Sequence, residues 1–244
     1  MRLVRALYAV ATYFLFFATF VYLIAFVGGV FVPKTVDSGV AGPMGVAVAV
    51  DLVLIALFGV QHSVMARPGF KRWLTGFLHP AIERSTYVLM TLVVLWIMFA
   101  FWQPIPNVIW AVDTETATLA LWALFLVGWT IAFISTWLLN HFELFGLQQV
   151  WLDFTGKEPV EQKFRQPLFY KVSRHPLYLG MLIGIWAIPV MTAGHLLFAA
   201  GMTIYVLIAI RYEERDLVAF LGEQYAEYRT KVGMLLPGIG KAKG

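Results

Sequence analysis

Two short stretches carry most of the ionisable chemistry in the second half of this 244-residue chain. The first is Ser173-Arg174-His175-Pro176-Leu177-Tyr178-Leu179-Gly180, and the second is Arg211-Tyr212-Glu213-Glu214. An apolar hairpin separates them. Pro176 suits the first turn of a helix, because its missing N–H would be unpaired there anyway. Ser173 to His175 then lie at a helix N-terminus, where backbone N–H groups and the helix dipole favour an anionic group. Tyr178, one turn further, can stack on an aromatic base, and Gly180 lets a neighbouring helix or a ligand approach closely. Glu213 and Glu214 offer carboxylates for an ammonium group. Gly222, Tyr225 and Tyr228 follow on an expected amphipathic helix, Glu213 to Lys231, able to fold back as a lid. Together these residues would hold a polar, zwitterionic cofactor at a membrane surface.

The elements that must position them are transmembrane helices. Hydrophobic residues make up 60% of the chain and charged residues 13%, against roughly 25% charged in soluble domains. Crossing a bilayer takes about 20 apolar residues per helix. Apolar segments fall at about 7–32, 44–60, 86–102, 117–139, 177–192 and 195–211. Turn chemistry breaks them at Val32-Pro33-Lys34, Gly42-Pro43, Gln103-Pro104-Ile105-Pro106 and Thr192-Ala193-Gly194. The expected fold is an all-α polytopic bundle of about six spans, the last two a hairpin, with a cytoplasmic C-terminal helix. If that hairpin is re-entrant, four full spans remain. The chain divides into a front bundle, 1–139, with the acceptor pocket, and a back part, 140–244, with the cofactor.

Six spans put 17 of the 18 Lys and Arg residues on one side and only Lys34 on the other. By the positive-inside rule both termini are cytoplasmic. The net charge of +4 then needs no nucleic-acid partner, since anionic lipid headgroups suffice. The chain has no cysteine, which excludes disulfides, thiolate nucleophiles and Cys-ligated metals. Asp51 lies within the second span, where a charge is costly and usually functional; the alternative is a protonated carboxyl bonded to another helix. Trp96, Trp102, Trp129, Trp137 and Trp151 read as interface or packing residues.

The ordered pattern Arg174-His175-Pro176-Leu177-Tyr178, Glu213-Glu214, Phe220-Leu221-Gly222 and Tyr225 to Tyr228, with Pro237 beyond, resembles the membrane methyltransferases over roughly 165–237. These include the isoprenylcysteine carboxyl and phospholipid methyltransferases. Phe220-Leu221-Gly222 departs from the family's Phe-Gly by one residue. The resemblance implies S-adenosylmethionine as co-substrate. His175 and Tyr178 would contact its adenosyl portion, Glu213 or Glu214 its ammonium, and Arg174 or Arg211 its carboxylate. In front, Gln61-His62-Ser63-Val64-Met65-Ala66-Arg67 and Glu83-Arg84-Ser85-Thr86-Tyr87 resemble the NnrU-like membrane proteins. Joined to the rear motif, they are similar to the bacterial methanethiol S-methyltransferases of the inner membrane.

That resemblance implies a small thiol as acceptor. Only the thiolate is nucleophilic, and an alkanethiol is mostly protonated at neutral pH, so a base is needed. His62 is the first candidate and His141 the second; Arg67, Arg72 or Arg84 would lower the thiol pKa. For each histidine the bland alternative is an interfacial hydrogen-bonding residue. Rival readings are a phospholipid or isoprenylcysteine methyltransferase, an NnrU-like isomerase with His62 and His141 as haem ligands, and a small transporter using Asp51. The residues leave the oligomeric state open.

Overall fold

The computed structural model describes residues 1–158 and 164–242. Lys163 and Lys243, both counted above among the one-sided cations, lie outside the described residues. Among the described residues five helices are long and apolar enough to cross a membrane, and a short apolar sixth stands between the last two. The chain is therefore a polytopic helical membrane protein. It divides into two compact units.

The first unit comprises Met1–Ile109, His141–Val160 and Thr192–Gly201. It holds α1 (Arg2–Gly28), α2 (Met44–Ala66), α3 (Pro68–Leu74) and α4 (Glu83–Phe101). Gly29 ends α1 in the left-handed conformation, φ 69°, with its N–H bonded to Ala25 O, as expected of a helix C-terminal glycine. Pro43 and Arg67-Pro68 bound α2, and α4 stops ahead of Pro104. The helix α4 packs against both α1 and α2.

The second unit comprises Trp110–Asn140, Glu161–Met191 and Met202–Gly244. It begins with α5 (Glu115–Leu139). The stretch expected as one long loop, 140–176, contains α6 (His141–Leu144) and α7 (Leu147–Thr155), which belong to the first unit. Arg5 grips Asp153 through two hydrogen bonds of 2.8 and 3.0 Å, fastening α7 to α1. The Arg5 guanidinium holds the Asp153 carboxyl below the usual carboxylate range.

After these comes α8 (Pro176–Trp186), only 11 residues long, where the apolar run predicts a helix to residue 192. Pro189 cannot extend the helical ladder. The residues beyond Trp186 form β2 (Val190–Thr192), paired with β1 (Val108–Ala111). Along α8, Gly180 meets α5 so closely that an added Cβ would lie 2.5 Å from Gly128 O and Ala132 N. One turn later Gly184 lies equally tight against the Trp129 ring. This is close helix packing through small residues, of the kind membranes favour.

The last long helix, α9 (Ala193–Leu221), continues ten residues past the expected end at Arg211. Arg, Glu, Leu and Ala are strong helix formers, so the hydropathy falls at Arg211 while the helix does not. Gly222, φ 63°, breaks it, and α10 (Glu223–Lys231) follows. The expected single amphipathic helix from Glu213 to Lys231 is thus two pieces.

Candidate functional site

In the second unit, residues 173–175 run as an extended segment beside the C-terminal tail. Arg174 N–H donates to Gly233 O (2.9 Å) and His175 N–H to Met234 O (3.2 Å). Gly233 is packed so tightly that a Cβ would overlap Leu236 O. This pairing aims the Arg174 side chain, 4% exposed, into the protein. Its Nε donates to Glu214 Oε1 at 2.6 Å. Nη1 donates to Arg229 O (3.0 Å) and Val232 O (2.5 Å), and Nη2 to Gly240 O (3.0 Å). One guanidinium thus ties together α9, α10 and the tail.

Glu214 is equally committed. It faces Arg174, the His175 Nε2 at 3.1 Å and the Arg229 Nε at 3.1 Å. Three partners balance and position its charge, and its carboxylate is buried. Glu213 differs. Its side chain is 44% exposed, and one oxygen accepts from the Tyr178 hydroxyl at 3.0 Å. The rings of His175 and Tyr178 stack with centroids 5.8 Å apart.

Beside this lattice is a cavity of about 290 Å3 lined by Arg211, Glu214, Arg215, Val218 and Arg229. Neither Arg211 nor Arg215 has an ion pair or side-chain hydrogen bond among the described residues. Glu214 is already neutralised, so the cavity is electropositive.

Tyr225 and Tyr228 are buried with Val232 in an apolar cluster. Burial pushes the Tyr228 hydroxyl up to about 12, so it stays a donor at any working pH, and it bonds Tyr170 O at 2.5 Å. These tyrosines hold α10 in place. Gly180, whose close neighbour is left open by the sequence, lies against α5.

The first unit holds the other candidates. His62, on α2, is sandwiched between two hydroxyls, with Thr91 Oγ1 at 3.1 Å from Nδ1 and the Tyr87 hydroxyl at 2.7 Å from Nε2. The Thr91 hydroxyl donates its one proton to Tyr87 O, at 3.0 Å, so it accepts from His62 Nδ1–H. Nε2 is then the unprotonated nitrogen and accepts from Tyr87. The Arg84 guanidinium lies 4.9 Å over the Tyr87 ring and donates to Leu144 O at 2.7 Å. The order is Thr91, His62, Tyr87, with a fixed positive charge beside the phenol.

His141 is buried, with Nε2 2.8 Å from the Tyr13 hydroxyl and rings of Phe17, Phe142 and Phe145 around it. Burial lowers its pKa, keeping it neutral. His62 therefore carries a hydroxyl on each ring nitrogen, and Tyr13 holds the Nε2 of His141. Arg72 is exposed on the short helix α3. Asp51 Oδ1 accepts from Gln103 N–H at 2.8 Å, so this buried carboxyl caps the chain where it leaves α4.

Sequence reasoning missed Arg229, Gly233, Arg215 and the Tyr87–His62 bond. Tyr87 was visible as the last residue of Glu83-Arg84-Ser85-Thr86-Tyr87, four residues before Thr91, on one face of α4. The spacing Gly180-x-x-x-Gly184 was a readable sign of tight packing. Arg229 and Gly233 had no such sign, since their partners lie 15 and 60 residues away in sequence, at Glu214 and Ser173.

The fold and these clusters define a class: a polytopic membrane protein with an electropositive, carboxylate-bearing site at the end of its last long helix. No protein-family model and no solved structure matches the chain. Several curated relatives match it over nearly its whole length. It is 53% identical to a methanethiol S-methyltransferase of Mycobacterium tuberculosis over 97% of both chains. It is 49% identical to methanethiol S-methyltransferase 1 of Bradyrhizobium diazoefficiens, over 97% of this chain and 83% of that one. The methanethiol S-methyltransferase of Crocosphaera subtropica is 47% identical over 96% of this chain and 92% of its own. The chain belongs to the methanethiol S-methyltransferase family.

Proposed function

We propose that this membrane enzyme transfers the methyl group of S-adenosylmethionine to the sulfur of methanethiol, giving dimethyl sulfide and S-adenosylhomocysteine. The observation that carries the reading is the near-complete match to enzymes of that name. The second unit supplies groups suited to the donor. Glu213, half-exposed and oriented by Tyr178, takes the ammonium. Arg211 and Arg215, unpaired in their cavity, take the carboxylate. Tyr178, partly exposed and stacked on the buried His175 ring, presents its face to the adenosyl group. Arg174, Glu214, Tyr225 and Tyr228 hold these residues in position.

The bound co-substrate supplies an electrophilic methyl carbon. The thiol sulfur bonds to it, the carbon–sulfonium bond breaks with its electron pair going to the departing sulfur, and the thiol proton must leave. The first unit provides for that proton. Tyr87 passes its own proton to His62 Nε2 as its oxygen accepts one from the thiol, leaving an imidazolium whose Nδ1–H stays on Thr91. Proton transfer of this kind contributes about 10²- to 10⁴-fold. Arg84, beside the Tyr87 ring, stabilises negative charge at the phenol or sulfur.

The enzyme sits in the bacterial inner membrane with both termini cytoplasmic. The positions of Lys and Arg support this. Single-turnover kinetics test the chemistry. His62→Ala and Tyr87→Phe should slow methyl transfer at least tenfold while leaving S-adenosylhomocysteine affinity within twofold. Full activity in both variants at neutral pH would remove the pair from the reaction.

A further inference from the structure

His141, the second candidate base, has no part in the proton path through Tyr87 and His62. Its place in the first unit gives it different work. It opens α6, a strap only four residues long, and its buried ring meets the Tyr13 hydroxyl of α1 at 2.8 Å. Just beyond the strap the Phe145 ring stacks on Phe16 of α1, centroids 3.8 Å apart, and packs on the cluster that contains Tyr87. Between these two fastenings the Leu144 carbonyl takes the Arg84 Nε–H at 2.7 Å. A carbonyl in the last turn of a helix has no partner within it, so this one is open to a side chain. Held there, the Arg84 guanidinium lies 4.9 Å over the Tyr87 ring.

Gly146 lets the strap come this close. Its φ of 89° lies in the left-handed region, and a Cβ there would overlap Ser85 Oγ and stand 2.7 Å from Ser85 N. Ser85 follows Arg84 in the first turn of α4 and is itself fully buried, so the contact requires glycine. Glu143 O closes the turn, accepting from Gly146 N–H at 3.3 Å and from Gln149 Nε2 at 3.1 Å.

We propose that His141 and Gly146 are positioning residues, seating the α6 strap so that Leu144 O holds the Arg84 cation over Tyr87. This rests on the proposed reaction and gives the second histidine a role through Arg84 instead of as a base. A free arginine side chain has many rotamers, and its attraction for charge on the phenol or the thiol sulfur falls with distance. The carbonyl of a fastened strap removes that freedom before substrate arrives.

Two measurements on the full-length protein in lipid nanodiscs separate the strap from the chemistry. The first needs no substrate. In protein carrying isotope-labelled arginine, NMR reads the Arg84 Nε–H, assigned by its loss in Arg84→Gln. It should exchange with water at least about tenfold more slowly than that of the exposed Arg72. His141→Leu, Tyr13→Phe and Gly146→Ala should each speed the exchange at least about fivefold, so one misfolded variant leaves two readings. His141→Gln, whose amide still reaches the Tyr13 hydroxyl, should restore most of the protection. Wild-type protection no better than that of Arg72, or protection unchanged in the three variants, overturns the proposal whatever the activity.

The second measurement is a double-mutant cycle on single-turnover methyl transfer. Arg84→Gln should slow transfer at least about tenfold, as loss of a placed charge-stabilising group does. His141→Leu and Gly146→Ala should each slow it about fivefold alone but less than about twofold in the Arg84→Gln background. Additive losses, or a His141→Leu defect that His141→Gln does not recover, mean that His141 acts otherwise and overturn the proposal. A protected Arg84 in a protein that methylates no thiol supports the strap and removes the proposed reaction.

Discussion

Replacing Arg174 isolates the part of the site that organises rather than binds. Arg174→Ala removes four hydrogen bonds at once: one to Glu214 and three to the carbonyls of Arg229, Val232 and Gly240. Deleting one member of a buried ion pair costs about 3–5 kcal/mol. Each carbonyl left dry would add roughly 1–3 kcal/mol, but water entering the vacated space offsets much of that. Glu214 also keeps His175 and Arg229, so the net loss should be about 3–5 kcal/mol. At about 2–4 °C per kcal/mol for a chain of this size, the unfolding midpoint should fall by about 6–20 °C in detergent. Loss should start at the C-terminal segment, so trypsin should cut at Arg229 and Lys231 sooner than in wild type. Arg174→Lys should recover little, because a single ammonium cannot replace a fork that reaches four acceptors. Arg165→Ala, an exposed neighbour, serves as control and should change stability by less than about 0.5 kcal/mol. Equal midpoints and equal cleavage rates for Arg174→Ala and wild type would refute the reading of Arg174 as a clasp.

Three further outcomes follow from the same geometry. Glu213→Gln should weaken S-adenosylhomocysteine binding by about 10- to 150-fold, the loss of one charge-assisted hydrogen bond, with little change in melting; calorimetry that finds intact affinity assigns the ammonium elsewhere. Gly180→Ala places a methyl group against two backbone atoms of α5 and should cost about 1–3 kcal/mol or more, read by thermal unfolding. The Asp153 carboxyl is held low by Arg5, so its stabilisation is present above the unfolded carboxylate pKa and is lost as pH falls through the lower, folded value. Arg5→Gln should therefore lower stability at neutral pH and flatten the acid limb of a stability–pH profile; parallel profiles would contradict that linkage.

The helical architecture was legible because hydropathy and proline punctuation act locally. Pro43, Pro68 and Pro176 each stand where a helix begins, and four of the six expected spans lie within a few residues of helices in the structure. Misreadings arose where apolar character and helicity part company. Val190 to Thr192 is apolar but extended, and Arg211 to Leu221 is charged but helical. The motif residues of the site were legible as types, since Arg174, His175, Tyr178 and Glu213-Glu214 do gather in one place. Their division of labour was not. Arg174 and Glu214 look in sequence like ligands for a zwitterion, yet burial and mutual bonding occupy both, leaving Glu213 and the two unpaired arginines of the adjacent cavity, Arg211 and Arg215, exposed. Which of two adjacent glutamates faces inward depends on helix phase against α10 and the tail, contacts that no local pattern encodes. Likewise His62 stood out as a lone histidine, while its operative partner Tyr87, 25 residues on, becomes visible only when α2 and α4 are packed.

The central claim is tested most directly by isotope transfer. Membranes containing the protein, incubated with methanethiol and S-adenosylmethionine carrying a deuterated methyl group, should release dimethyl sulfide bearing one CD3 group into the headspace. Phosphatidylethanolamine and an isoprenylcysteine peptide, offered in parallel, should stay unlabelled. Label appearing in either of those acceptors, with none in dimethyl sulfide, would contradict the account.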